Sequence, residues 1–146
     1  MLHRAIFGSL ERFFGVLIES TAGDFPVWLA PTQLRLLPVS DEFRPYCEEV
    51  QALGKAAGLR IETDPGGRSV GKQIKLANQE KIPLYAVVGE KEIEARTLSL
   101  NFRKGDGTGL LDLGVIDVDE AISRLELASK TGTPIQDVFE TPKEPA

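Results

Sequence analysis

The chain has 146 residues, of which 42% are hydrophobic and 27% charged, with a formal net charge of −5. That is one ordinary globular domain, too apolar for a disordered chain and without the ~20 consecutive apolar residues that span a bilayer. A single cysteine, Cys47, excludes an internal disulfide and fits a reducing compartment, so the expected location is the cytoplasm, with organellar stroma or matrix kept beside it.

The charge is unevenly spread. Residues 1–54 carry −3, residues 55–104 carry +4 and residues 105–146 carry −6. Screening limits the reach of distant charge to about 10 Å, so the basic middle can attract phosphate on an acidic chain. The alternative is a solvated helix face.

In chain order, Leu2 to Glu19 reads as a helix with Leu10, Phe13, Phe14, Leu17 and Ile18 in one apolar stripe. Its glutamates, Glu11 and Glu19, set it apart from a signal peptide. Thr21 to Pro31 is a connector broken by Gly23, Pro26 and Pro31, whose Phe25, Val27, Trp28 and Leu29 require burial. Helix and connector either fold back on this domain or pack against a neighbour.

Leu34 to Val39 is a strand. Ser40 then caps a helix with Phe43, Cys47, Val50, Leu53 and Ala57 on one face, closed by Gly58. Leu59 to Thr63 is a second strand, Asp64 to Gly67 a turn, and Arg68 or Ser69 opens a helix to about Lys81. Leu84 to Val88 reads as a buried strand and Thr97 to Phe102 as a half-buried one. A hairpin turn at 105–109 leads to a short strand, Leu110 to Leu113, and a last helix capped by Asp117 or Asp119 ends near Ala128. The remainder reads as a loose polar tail.

The order βαβαβββα predicts an α/β fold: a mixed five-stranded sheet, three strands parallel through right-handed crossovers and an antiparallel hairpin portion, flanked by helices. Ligand sites in such sheets favour the carboxyl ends of the parallel strands. The expected division is 1–31 helix and linker, 32–128 the α/β domain and 129–146 the tail.

Residues 66–73, Gly-Gly-Arg-Ser-Val-Gly-Lys-Gln, fit the spacing of a nucleotide-phosphate loop but place Gln73 where that loop needs a magnesium-binding hydroxyl. Glycines at a helix N-terminus still suit any phosphate, including that of RNA. Lys72 and Lys75 share a face of the helix that follows with Gln79. His3 is the only histidine, so His3 and Cys47 complete no metal site, and Cys47 on an inward helix face reads as a core residue.

The string Met1 to Phe13 (MLHRAIFGSLERF) resembles the third signature motif of threonyl-tRNA synthetases, class II enzymes, and Trp28-Leu29-Ala30-Pro31 with Gln33 resembles their link to the C-terminal anticodon-binding domain. Val70-Gly71, Lys81-Ile82-Pro83 and residues 87–92 match in order and spacing, so the resemblance covers roughly residues 1–128. It implies a fragment of an ATP-dependent threonine–tRNA ligase that is not catalytic alone and has no cofactor of its own. ATP, magnesium and zinc belong to the parent. Arg12 matches an ATP-contacting arginine and His3 a zinc ligand, both without their partners here.

The implied RNA-binding residues are Gly67, Arg68, Lys72, Lys75, Glu92, Asn101 and Arg103. Glu92 is retained from the family pattern. The family places Asn at 67 and Arg at 75 and 101, and Lys cannot copy the bidentate fork of Arg. The implied partners are tRNA(Thr), the absent catalytic domain and a second copy of the chain, with no membrane. The alternative is a protein-interaction or dimerisation module that kept the fold and lost anticodon specificity.

Overall fold

A computed structural model describes residues 8–104 and 109–139. His3 and the middle of the expected hairpin turn lie outside them. Five strands form one sheet in the order β2-β1-β3-β4-β5. Strands β1 (Leu34–Pro38), β2 (Ile61–Thr63) and β3 (Leu84–Val88) are mutually parallel, while β4 (Thr97–Arg103) and β5 (Leu110–Asp117) continue antiparallel. The expected mixed sheet is present.

The two crossovers run in opposite directions across the sheet, from β1 out to β2 and from β2 back past β1 to β3, so right-handed connections place their helices on opposite faces. On one face, α2 (Arg44–Ala56) and α5 (Val118–Thr131) close the main core. Cys47 and Val50 meet Leu34, Leu36, Ala86, Leu98 and Leu100, all at 1% exposure or less. Burial pushes the Cys47 thiol up to about 12, so it stays protonated at neutral pH. The other face receives α3 (Val70–Gln79), which packs on β1 and β3 over Leu37 and Tyr85 with Ala77 and Gln73 inward.

Ser40 caps a 3-10 turn, Asp41–Phe43, before α2 begins, and Pro45 falls in the first turn of α2, where its missing N–H costs nothing. The turn-like segment after β3 contains a short helix, α4 (Glu90–Ala95), absent from the expected order. Strand β5 runs to Asp117, past the expected end at Leu113, and the Asp117 carboxylate accepts the Asp119 N–H at 2.9 Å to start α5.

Two expectations change. The segment from 129 is not loose through Phe139: α5 extends to Thr131, Gly132 takes the left-handed cap, and α6 (Ile135–Phe139) buries Ile135 and Phe139. The Arg124 guanidinium lies 5.6 Å over the Phe139 ring. The physical cause is the apolar spacing of Ile135, Val138 and Phe139, one helical stripe in an otherwise polar stretch.

Helix and connector also part company. The connector folds back: Val27 and Ala30 are buried, Gln33 Nε2 donates to the Val27 carbonyl at 2.9 Å, and Arg60 donates to the Trp28 and Ala30 carbonyls, both at 2.9 Å. Lys81 Nζ donates to the Ala22 carbonyl. Helix α1 (Leu10–Thr21), capped by Ser9, buries no residue and leaves Leu10, Phe14, Val16 and Ile18 more than half exposed.

Candidate RNA interface

Strands β4 and β5 reach past the cover of α3. Leu98 and Leu100 point into the main core, so Ser99 and Asn101 alternate to the α3 side, where both are half-buried and Val115 and Asp112 of β5 are exposed. Tyr85 and Asp112 flank Asn101 on the neighbouring strands, and Asn101 Nδ2 approaches the Ser99 carbonyl at 3.5 Å. The result is an uncovered polar strip of sheet with α3 along one side.

The loop from β2 to α3 lies at the carboxyl end of the parallel strands, bonded to β1 through the Asp64 N–H and the Leu36 carbonyl. Asp64, fully buried, accepts the Gly66 N–H at 2.9 Å. Gly66 and Gly67 both adopt left-handed φ, +79° and +73°. At Gly66 a Cβ would come within 2.4 Å of the Asp41 carboxylate, whereas at Gly67 nothing lies within 4 Å. Arg68 and Ser69 are exposed, and Lys72, Lys75 and Gln79 line the outer face of α3 as the spacing predicts. Gln73 faces in: its Nε2 donates to the Pro38 and Arg68 carbonyls at 3.1 and 2.9 Å. Neither Gln73, held in this way, nor any cluster of three potential ligands among the described residues offers a metal site in the phosphate-loop spacing.

Glu92 stands at the same end of the sheet, on α4. Its Oε2 accepts the Gly89 N–H at 3.0 Å, completing the cap of that helix. One carboxylate oxygen is thereby committed to structure. Arg103 stands at the far end, about 20 Å away along β4, where its own N–H bonds the Pro83 carbonyl. Its guanidinium ion-pairs with Asp24 of the connector. In this structure Arg103 fastens the connector. Beside it, Asn78, Lys104, Gly109 and Leu110 line a recess of about 260 Å³ with Arg103. Arg12 lies on the first turn of α1, away from this strip in sequence and on a different element.

Sequence reasoning gathered Gly67, Arg68, Lys72 and Lys75, and the fold brings them to one loop and one helix face. It missed Asp64 and Gln73, the buried groups beneath that loop. The run Asp64-Pro65-Gly66-Gly67 was the available signal.

A sequence profile described as the anticodon binding domain matches residues 33–126. The chain belongs to the anticodon-binding domain family. A threonine–tRNA ligase of Synechococcus sp. (strain CC9902) is 50% identical over 134 residues, 92% of this chain and 21% of that protein. The chloroplastic/mitochondrial threonine–tRNA ligase 2 of Arabidopsis thaliana is 49% identical over 133 residues, covering 91% and 20%. The chain thus spans about a fifth of the length of these curated relatives. Among solved structures, the RNA binding domain of threonyl-tRNA synthetase from Cryptosporidium parvum Iowa II matches with a TM-score of 0.74 and 26% identity, over 86% of this chain and 30% of that one. The resemblance to threonyl-tRNA synthetases and the five-stranded fold both stand on these findings.

Proposed function

We propose that this chain is the tRNA-binding module of a threonine–tRNA ligase-like protein and that it grips the anticodon stem-loop of tRNA(Thr). The observation that carries this reading is the juxtaposition of a left-handed glycine pair and the cations Arg68, Lys72 and Lys75 with an uncovered polar strip of sheet bearing Asn101. Cations and helix N–H groups suit phosphate, and an open sheet face accepts splayed bases. In this reading residues 32–128 form the binding module, Glu92 offers its remaining carboxylate oxygen to a base, and Arg103 contributes only if Asp24 releases it. The parent ligase supplies catalysis with ATP, magnesium and zinc, while the fragment neither activates threonine nor carries a cofactor. No helix of the described residues is long and apolar enough to cross a membrane, and we place the protein in the cytoplasm or an organellar stroma or matrix.

The second reading, a protein-interaction or dimerisation module, is favoured by the exposed apolar stripe of α1. Titration with tRNA(Thr) and non-cognate tRNAs at two salt concentrations separates the two. Binding that weakens steeply with salt supports the RNA reading. No binding at low salt overturns it and leaves the interaction module.

A further inference from the structure

Loop 64–69 must hold two consecutive left-handed glycines in one conformation, and glycine loses more backbone entropy on ordering than any other residue. Asp64 fixes the first half by accepting the Gly66 N–H. The second half is fixed by Gln73. This glutamine is 1% exposed, an unusual placement for a side chain whose amide is costly to bury. A leucine or methionine would fill the space under α3 without that cost. Both Nε2 protons are used, one on Arg68 O in the loop and one on Pro38 O at the end of β1, so the loop is fastened to the sheet and not merely to itself.

The direction of that bond has a consequence at the surface. The described peptide bonds are all trans, so the C=O of Arg68 and the N–H of Ser69 point opposite ways. Drawing the Arg68 carbonyl inward turns the Ser69 N–H outward. That donor joins the N-terminal N–H groups of α3, while those of Lys72 and Gln73 fold back onto the Ser69 carbonyl at 2.9 and 3.1 Å.

We propose that Gln73 is a positioning residue for the RNA-facing loop: it touches no ligand, and by holding the Arg68 carbonyl it presents the Ser69 N–H and the Arg68 side chain to phosphate. The assignment rests on the RNA reading for its functional half only. Gln73→Met keeps length and flexibility and removes both donors. In this variant tRNA affinity falls about three- to tenfold, as expected when one or two net hydrogen bonds no longer pre-order the loop. The salt slope stays at the wild-type value because the phosphate contacts remain. Amide exchange quickens at Gly66, whose N–H is held by Asp64, and not across the sheet. Wild-type affinity in the variant, or exchange that quickens uniformly, overturns the proposal. Should the variant not fold, nuclear magnetic resonance of the wild-type chain decides. The Gln73 Nε2 protons then exchange slowly and stay unshifted on adding tRNA while the Ser69 amide shifts. Fast exchange of those protons, or a direct shift on Gln73, overturns it. If wild-type chain binds no tRNA, the RNA reading fails, and the clamp is still judged by exchange at Gly66 in Gln73→Met.

Discussion

Arg103, the last residue of β4, is ion-paired with Asp24 of the connector, and both side chains are more than four-fifths buried. Removing one partner of such a pair strands the other charge away from water. Asp24→Asn is expected to destabilise the fold by about 3 kcal/mol, read by urea unfolding. It also frees a guanidinium at the edge of the open strip, so the salt slope of tRNA binding grows by about one unit. A variant as stable as wild type shows that the pair is incidental.

Lys72 and Lys75 lie on the outer face of α3 and touch phosphate in the proposed complex. Changing both to Ala reduces the salt slope by about one to two units and weakens cognate and non-cognate tRNAs alike. An unchanged slope places the backbone of the RNA elsewhere on the surface.

The two loop glycines differ in what they tolerate. Gly67 has a left-handed φ and open space, and Asn is among the non-glycine residues that enter this region most readily. Gly67→Asn is expected to fold and to raise discrimination between cognate and non-cognate anticodons by about tenfold, one good base-edge contact. Gly66→Asn takes the same left-handed φ but also requires the exposed Asp41 carboxylate to turn aside, and lowers stability by about 1 kcal/mol more than Gly67→Asn. Equal behaviour of the two variants in thermal unfolding would contradict the geometry.

Glu92 combines two roles that two substitutions separate. Glu92→Ala loses the acceptor for the Gly89 N–H and costs about 1 kcal/mol of stability along with anticodon discrimination. Glu92→Gln keeps an acceptor for the cap and loses the carboxylate, so stability is retained while discrimination relaxes. Neither change steepens the salt dependence, which is checked in the same titration.

Helix α1 leaves a stripe of large apolar side chains in water, with Phe14 52% and Ile18 51% exposed. The isolated chain is expected to self-associate with rising concentration, and Phe14→Glu to return it to a monomer in sedimentation. A strict monomer at high concentration rules out this surface as a contact between copies.

The strands, their mixed directions and the core were legible because their signals are local and periodic. The continuous run of β3 marked a buried centre, and Cys47, Val50 and Leu53 marked the inner face of α2. What stayed hidden was either short or non-local. The six residues of α4 are too few for a helical stripe, and its start signal is weak because the cap residue, Gly89, has no side chain to accept a bond. Ile135 and Phe139 were submerged in a polar segment. The candidate cations of α3 could be grouped from spacing alone, but the fate of Arg103 could not. Its partner Asp24 lies 79 positions earlier, and no sequence pattern distinguishes a strand-end arginine facing RNA from one facing its own connector.

The connector is bonded to the domain at Ala22, Asp24, Val27, Trp28 and Ala30, through Lys81, Arg103, Gln33 and Arg60. A stretch that looks like a flexible tether therefore carries no slack. Ala22 and Gly23, both left-handed at φ 51° and 74°, bend the chain where α1 meets these fastenings. Helix α1 consequently leaves the domain as a spoke, and a load applied to its apolar stripe meets first the Lys81 bond at Ala22 and then the Arg103 pair at Asp24, at the foot of β4, the strand that carries Asn101.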